Sequence, residues 1–447
     1  MSLNDARLQR RFDAIVASMT KTPDESFPKV FSDDSELEAT YRFLNNERVS
    51  ADALLAPHIS DTIARAAREP LILVAHDTTA FTFGGEHERG DVGSLDGKRA
   101  GFLGHFALAA TTGEARRVLG VVGFEPTFRI AGRKKEHWRS RRSNPDRESL
   151  RWLRMADVVG ERLAGRAESI HLMDSEGDDY ALLAHLIGGK HRFVIRSAQK
   201  RKLDGGDDLM GTIARCEAVA CRQVSLGERT RMASRGKSRH EPRKPRTAKL
   251  QITATGVTLL RPDRRTELPE ALRLNVVHVY EIDAPEGGEP VDWKLYTTEA
   301  IDTPEQMLAV VDHYRNRWII EEFFKALKSG CAYEKRQLEN RGSLLNALGI
   351  LVPIAWQLLV LRDESRSDAP SCSVLTARQI EVLRATSKRP LPANPTARET
   401  MLAVAKLGGH ITNNGEPGWM VLGRGLFDLI AYEVGWVAAR AARSDQS

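Results

Sequence analysis

The run Leu71-Ile72-Leu73-Val74-Ala75-His76-Asp77-Thr78-Thr79-Ala80-Phe81-Thr82-Phe83 admits few folds. An almost unbroken series of aliphatic, β-branched and aromatic residues fits a strand buried on both faces, as in a sheet with helices packed above and below it. Asp77 interrupts the series in the middle, where an unpaired charge would be costly, so a cation or a metal ion is expected beside it.

The segments around this strand set the sheet. Strands are predicted at Gly101 to Thr111 and Arg117 to Arg129, joined by the turn Thr112-Gly113-Glu114. A helix from about Arg147 to Ala167 leads into Ile170-His171-Leu172-Met173-Asp174, which puts a second carboxylate at the C-terminal end of a strand, where open α/β sheets commonly place chemistry. A helix at Tyr180 to Ile187 and a strand at Arg192 to Arg196 follow. Three strands, helix, strand, helix, strand implies a mixed sheet whose first members are antiparallel. From about 200 to 292 the pattern reads as short strands and turns, a β insertion carrying a basic loop from Arg229 to Lys249.

The flanks are helical. Leu8, Phe12, Ile15, Val16 and Met19 recur at helical spacing beside Arg7, Arg10 and Arg11, and a second helix carries Glu36 to Leu44 with Tyr41 and Arg42. Asp363 to Pro370 reads as a linker, and Ser373 to Arg443 as helical again. A net charge of +6 favours a polyanionic partner. The loop Arg133 to Arg142, with His137 and Trp138 among its cations, suits a nucleic-acid track. Cys216, Cys221, Cys331 and Cys372 have neither zinc-site nor disulfide-framework spacing, so reduced thiols are expected. The apolar run Leu348 to Leu361 carries Pro353 and Gln357 and predicts a buried helix, and the N-terminus has no signal-peptide pattern. A soluble intracellular protein with no membrane partner is therefore expected.

Residues 304 to 329 predict a helix with a chemical face. Thr303-Pro304-Glu305-Gln306 is a capping box with proline at the first helical position, Gly330 stands at the far end, and a break is expected around Asp312 to Asn316. At about 100° per residue, Tyr314, Arg317, Glu321 and Lys328 fall within roughly a 60° arc, opposite Ile319, Ile320, Phe323 and Leu327. Such a face suits a polyanion held against a metal, or a plain solvated surface with ion pairs. Asp77, Asp174 and Glu321 form a set able to hold two divalent cations about 3.5 to 4 Å apart for phosphoryl transfer. All-oxygen ligands select Mg²⁺ or Mn²⁺.

Tyr314, Arg317, Glu321 and Lys328, separated by two, three and six residues, resemble the signature of the DDE transposases of the insertion-sequence-4 family. The resemblance extends to Asp77-Thr78-Thr79, to Arg192 through Ser197, to Tyr41-Arg42-Phe43 and to Leu407-Gly408-Gly409. It implies an RNase H-like catalytic core at 66–200 and 293–362, interrupted by the β insertion at 201–292. The helical domain at 1–65 would help bind the transposon end, and the helical region at 363–447 would serve dimerisation. It further implies Asp77, Asp174 and Glu321 as ligands of two Mg²⁺ or Mn²⁺ ions; Glu322 points about 100° away from its neighbour. Tyr314, Arg317 and Lys328 would hold phosphates, Trp293 or Trp318 would stack on a flipped base, and Arg196, Tyr41 and Arg42 would contact DNA. Partners would be the transposon ends, the target DNA and a second copy in a synaptic homodimer. The location would be the bacterial cytoplasm, at the nucleoid when DNA is bound. One departure stands out: Ser175-Glu176-Gly177-Asp178 follows Asp174 where relatives carry Arg-Glu-Ala-Asp. The implied activity is cut-and-paste transposition through a hairpin intermediate. Its rivals are a metal-dependent nuclease of the same fold and a non-catalytic DNA-binding repressor derived from such an enzyme.

Overall fold

The structure, a computed structural model, describes residues 5–19, 31, 33–84, 91–95, 99–113, 116–129, 147–206, 208–227, 243–336, 338–367, 375–387 and 390–444. The basic loop at 133–142, the part of the second basic run at 229–242, and Cys372 lie outside the described residues.

Strand β1 spans Leu71–Phe83, the limits of the apolar run. It is followed by β2 (Ala100–Thr111), β3 (Val118–Thr127), β4 (Glu168–Met173), β5 (Arg192–Arg196), β6 (Ala220–Leu226), β7 (Arg246–Leu260), β8 (Ala271–Ile282) and β9 (Asp292–Thr297). Among the described residues these form one sheet in the order β3-β2-β1-β4-β5-β9-β8-β7-β6. β1, β2 and β3 are antiparallel neighbours, whereas β1, β4 and β5 run parallel. This is the mixed sheet with antiparallel first members that the element order predicts. The inserted strands are not short: β7 and β8 pair along 12 positions, from Lys249 with Ile282 to Leu260 with Ala271, and join the same sheet through β9. Many of the positions between their buried residues are exposed or half-buried, so polar residues such as Lys249, Gln251 and Thr255 break the apolar signal without breaking the strand.

The two faces of β1 are covered by different helices, as a strand period of two requires. Ile72 and Val74 pack with Met155, Val159 and Leu163 of helix α4 (Arg151–Leu163). Leu73 faces Val310, Val311 and Tyr314 of helix α7 (Pro304–Asn316), and Ala75 and Phe81 share a cluster with Ile320 and Phe323 of helix α8 (Ile319–Lys325). The predicted capping box at Thr303 forms in full. The helix breaks at Arg317 and Trp318, one to two residues beyond the expected stretch, where i→i+3 bonds replace the α pattern: Arg317 N–H donates to Tyr314 and Ile320 N–H to Arg317. A π-helical turn, Ala326–Gly330, ends it.

The terminal helices have no separate core. Helices α1 (Ala6–Met19), α2 (Asp34–Leu44) and α3 (Ala51–Ala66) join the C-terminal α10 (Ala377–Thr386), α11 (Ala397–Leu407) and α12 (Trp419–Ser444) in the cluster that also holds Phe323 and Phe324. Helix α9, Arg341–Glu364, is its axis. It continues past Leu361 into the predicted linker. Long and apolar enough to cross a membrane, it has 78% of its most apolar window buried inside the protein. Its buried Asn346 amide donates to the carbonyls of Leu44 (2.8 Å) and Val49 (2.9 Å), tying the N-terminal helices to it.

Candidate active site

The register of β1 against β4 pairs Leu71 with Glu168 and Ala75 with Leu172. The same offset, continued two residues past the last parallel pair, sets Asp77, midway along β1, opposite Asp174, just past the end of β4, and the Asp174 charge acts on the Asp77 carboxyl. Each is oriented by a backbone amide close by in sequence. Thr78 N–H donates to Asp77 Oδ1 at 2.7 Å, and Glu176 N–H donates to Asp174 Oδ1 at 2.9 Å. Asp174 thereby caps the short 3-10 turn Ser175–Gly177.

Glu321 is brought to Asp77 by α8, through an arginine. Arg317 Nη1 donates to Asp77 Oδ2 at 3.1 Å and its Nη2 to Glu321 Oε1 at 2.7 Å, with the guanidinium buried. The cation expected beside Asp77 is therefore present in the chain itself. Even so, the Asp77 carboxyl is pushed up to about 7, first by burial and next by the charge of Asp174, with Glu321 adding to the rise; Arg317 opposes it. The site is short of positive charge. Glu322 is engaged elsewhere, accepting from Arg366 Nη2 at 2.9 Å.

The donor set of Asp77, Asp174 and Glu321 suits a hard divalent cation, being all oxygen and drawn together against its own repulsion. Among the described residues, however, no group of three or more His, Cys, Asp or Glu side chains encloses an ion as they stand. Arg317 bridges Asp77 and Glu321, so an ion held by both carboxylates would displace the guanidinium.

The rest of the predicted face splits. Tyr314 is buried, its phenol pushed up by that burial, with its ring edge-on to Trp293 at 5.6 Å between centroids. Lys328, on the π turn, donates to the Ala80 carbonyl at 2.6 Å and lies 4.0 Å from Glu334 Oε1. Glu334 in turn accepts from Thr82 N–H at 2.8 Å. Trp293 is half-buried against the core, whereas Trp318, turned outward by the break in the helix, is 53% exposed. Arg196 ends β5 and acts on the Tyr314 phenol through its charge. Tyr41 rests half-buried on the core near Glu339, far along the chain from the acids, and Arg42 projects into solvent with Glu38 3.8 Å away.

Sequence reasoning missed the support beneath the aspartates. Arg151, buried at the start of α4, donates from Nε to Thr78 Oγ1 (2.8 Å), from Nη1 to the Glu148 carbonyl (2.8 Å) and from Nη2 to Glu176 Oε2 (2.8 Å). Asp178, also buried, accepts from the amides of Ala198 and Gln199, both at 2.7 Å, and from Arg201. A charged residue on the apolar face of α4 was the available signal for Arg151.

Two family models match the chain. Residues 1–49 match the one described as transposase DNA-binding, and residues 157–356 match the one described as transposase DDE domain. The second match takes in Asp174 and Glu321 and starts after β1, so Asp77 enters the site by strand pairing with the matched region.

Proposed function

The chain carries a transposase DNA-binding domain and the DDE domain of a metal-dependent DNA cleavage and strand-transfer enzyme, and on that premise we propose a cut-and-paste transposase of the insertion-sequence-4 family, similar to that of bacterial transposon five. The observation that carries the reading is the closeness of Asp77 on β1 to Asp174 just past the end of the parallel β4, where the one charge acts on the other, with Glu321 joined to Asp77 through Arg317. Asp77, Asp174 and Glu321 would hold two Mg²⁺ or Mn²⁺ ions, which supply charge neutralisation for the attacking and leaving oxygens of a phosphodiester. Arg317 would exchange its two carboxylates for a DNA phosphate, to which its planar fork is equally suited. Lys328 and Arg196 would flank the same phosphates, and Tyr314 would orient Arg317. Residues 1–65, with Tyr41 and Arg42, would hold the transposon end. Cleavage would pass through a hairpin before joining to target DNA, in a homodimer formed through residues 363–447.

The test is incubation of the protein with Mg²⁺ and a plasmid carrying the inverted repeats that flank its source locus. Nicks at the repeat ends followed by hairpins are expected. Nicking of supercoiled plasmid without end specificity would point to a nuclease, and end binding without cleavage to a repressor.

Two further outcomes belong to this reading. End binding should weaken steeply with salt, by about 10³ to 10⁵ between 50 and 200 mM if six to ten phosphates are contacted; a flat response in a gel-shift titration would exclude a phosphate-tracking surface. Trp293 and Trp318 are the two rings offered to a flipped base, and alanine at the stacking one should slow hairpin formation by roughly 1 to 3 kcal/mol while leaving nicking unchanged. Trp293→Ala acting through the core would instead lower the melting temperature and slow both steps together.

A further inference from the structure

We infer that Arg151 is a positioning residue that sets the separation of Asp77 and Asp174, an inference that rests on their proposed role as metal ligands. The geometry is a closed brace. The amide of Thr78 orients Asp77 and the amide of Glu176 orients Asp174. Arg151 grips the side chains of those same two residues, at 2.8 Å each, and anchors itself on the Glu148 carbonyl at the start of its own helix. One rigid guanidinium thus ties the strand that aims Asp77 to the 3-10 turn that aims Asp174.

Arg151 cannot itself meet the ions or the DNA phosphate. Thr78 follows Asp77 along a strand, so its side chain lies on the opposite face of the sheet, beneath α4, while α8 and Glu321 cover the Asp77 face. Thr78 has a further partner there: its hydroxyl lies 2.9 Å from His105 Nδ1. Accepting from Arg151 leaves that hydroxyl its own proton to donate to the ring, so the brace continues into β2. The guanidinium is almost wholly buried, and a buried cation persists only where its partners fix it. Partners behind a ligand that fix its orientation typically govern metal affinity by 10- to 100-fold.

The brace predicts that geometry, not charge, is what Arg151 supplies. Mn²⁺ binding to the full chain, read from the electron paramagnetic resonance signal of the free ion, and the Mn²⁺ concentration for half-maximal plasmid nicking should both weaken by about 10- to 100-fold in Arg151→Met. Arg151→Lys should weaken both nearly as much, because an ammonium keeps the charge but cannot span Thr78 and Glu176 together. Glu176→Ala, on a side chain 60% exposed, removes the acceptor of the brace and should shift both in the same direction, and it carries the test if the arginine variants fail to fold. End binding should stay unchanged throughout. Arg151→Lys or Glu176→Ala with parental Mn²⁺ dependence in both readouts would overturn the brace. Asp77→Asn with parental Mn²⁺ dependence would overturn the ligand reading beneath it, which is a separate result.

Discussion

Asp77→Asn, Asp174→Asn and Glu321→Gln are each expected to lower end cleavage on the order of 10³-fold or more, while binding of the uncut end survives. Loss of one ligand forfeits several kcal/mol of charge stabilisation in the transition state, and each 1.4 kcal/mol is about tenfold in rate. Binding is spared because amide for carboxylate is nearly isosteric and leaves the cationic surface in place. Asp77→Asn adds a signature of its own. The Asp77 carboxyl is pushed up to about 7, so its ionised form costs the fold stability as pH rises through that value, and the neutral amide avoids the cost. The variant should therefore melt at the parental temperature or above it at pH 8, while being inactive. Glu322→Gln is the control, since Glu322 bonds Arg366 and should leave cleavage near parental. Retention of more than a small fraction of activity in any of the three would show that the residue is not a ligand, whatever its place in the structure.

The parts of this site visible in the sequence are those set by local pattern. β1 is bounded where its apolar run is bounded, and Asp77 stands out because a carboxylate in such a run needs a reason. Thr303 and Gln306 declare the start of α7 because a capping box involves only residues three apart. Glu321 is separable from Glu322 by helical phase, and the structure agrees to the extent that the one meets Arg317 and the other Arg366.

What stayed hidden depends on pairings across long stretches of chain. Arg317 reaches a residue 240 positions away, and nothing local distinguishes an arginine that will grip two carboxylates from one that faces solvent. The turn at Arg317 and Trp318 falls one to two residues past the break expected around Asp312 to Asn316, because it is made by i→i+3 bonds with no proline or glycine to fix its place. The length of β7 and β8 was masked by their half-exposed alternation, which reads as a series of turns when only apolar runs are sought. The shared core of the terminal helices follows from α9, whose apolar residues surround it on all sides and so bury against several elements at once. The described residues of the region matching the transposase DNA-binding model and the helix bearing Glu321 therefore pack into one cluster with α9.

The fold is expected to be acid-labile, losing stability steeply below about pH 6.5. His58 and His105 are each held down to about 3, in both cases mainly by burial, assisted for His58 by Arg65 and for His105 by Arg151 and Arg154. His76 and His171 are likewise held well below the usual histidine range by burial, with their rings in contact, Nε2 to Nδ1 at 2.9 Å. The contacts agree with neutral rings: His58 Nε2 accepts from the Val121 amide at 3.1 Å, a bond that protonation would destroy. A histidine whose folded value lies below its unfolded value of about 6.5 contributes nothing adverse above that pH, and below it the unfolded chain takes up the proton the folded one refuses. Each ring therefore costs about 1.4 kcal/mol per pH unit as the pH falls. Asp77, with its raised value, moves the other way and offsets one of the four. Three uncompensated rings then amount to roughly 6 kcal/mol by pH 5, against a stability of about 5 to 15 kcal/mol typical of folded proteins. The melting temperature should fall on the order of 10 °C between pH 7.5 and 5, and His58→Gln, whose side-chain oxygen can still accept from Val121, should make the fall shallower. A melting temperature that holds steady over that range would mean that the four rings are charged or hydrated in the folded protein, and that the sheet beneath Asp77 is wetter than its packing implies.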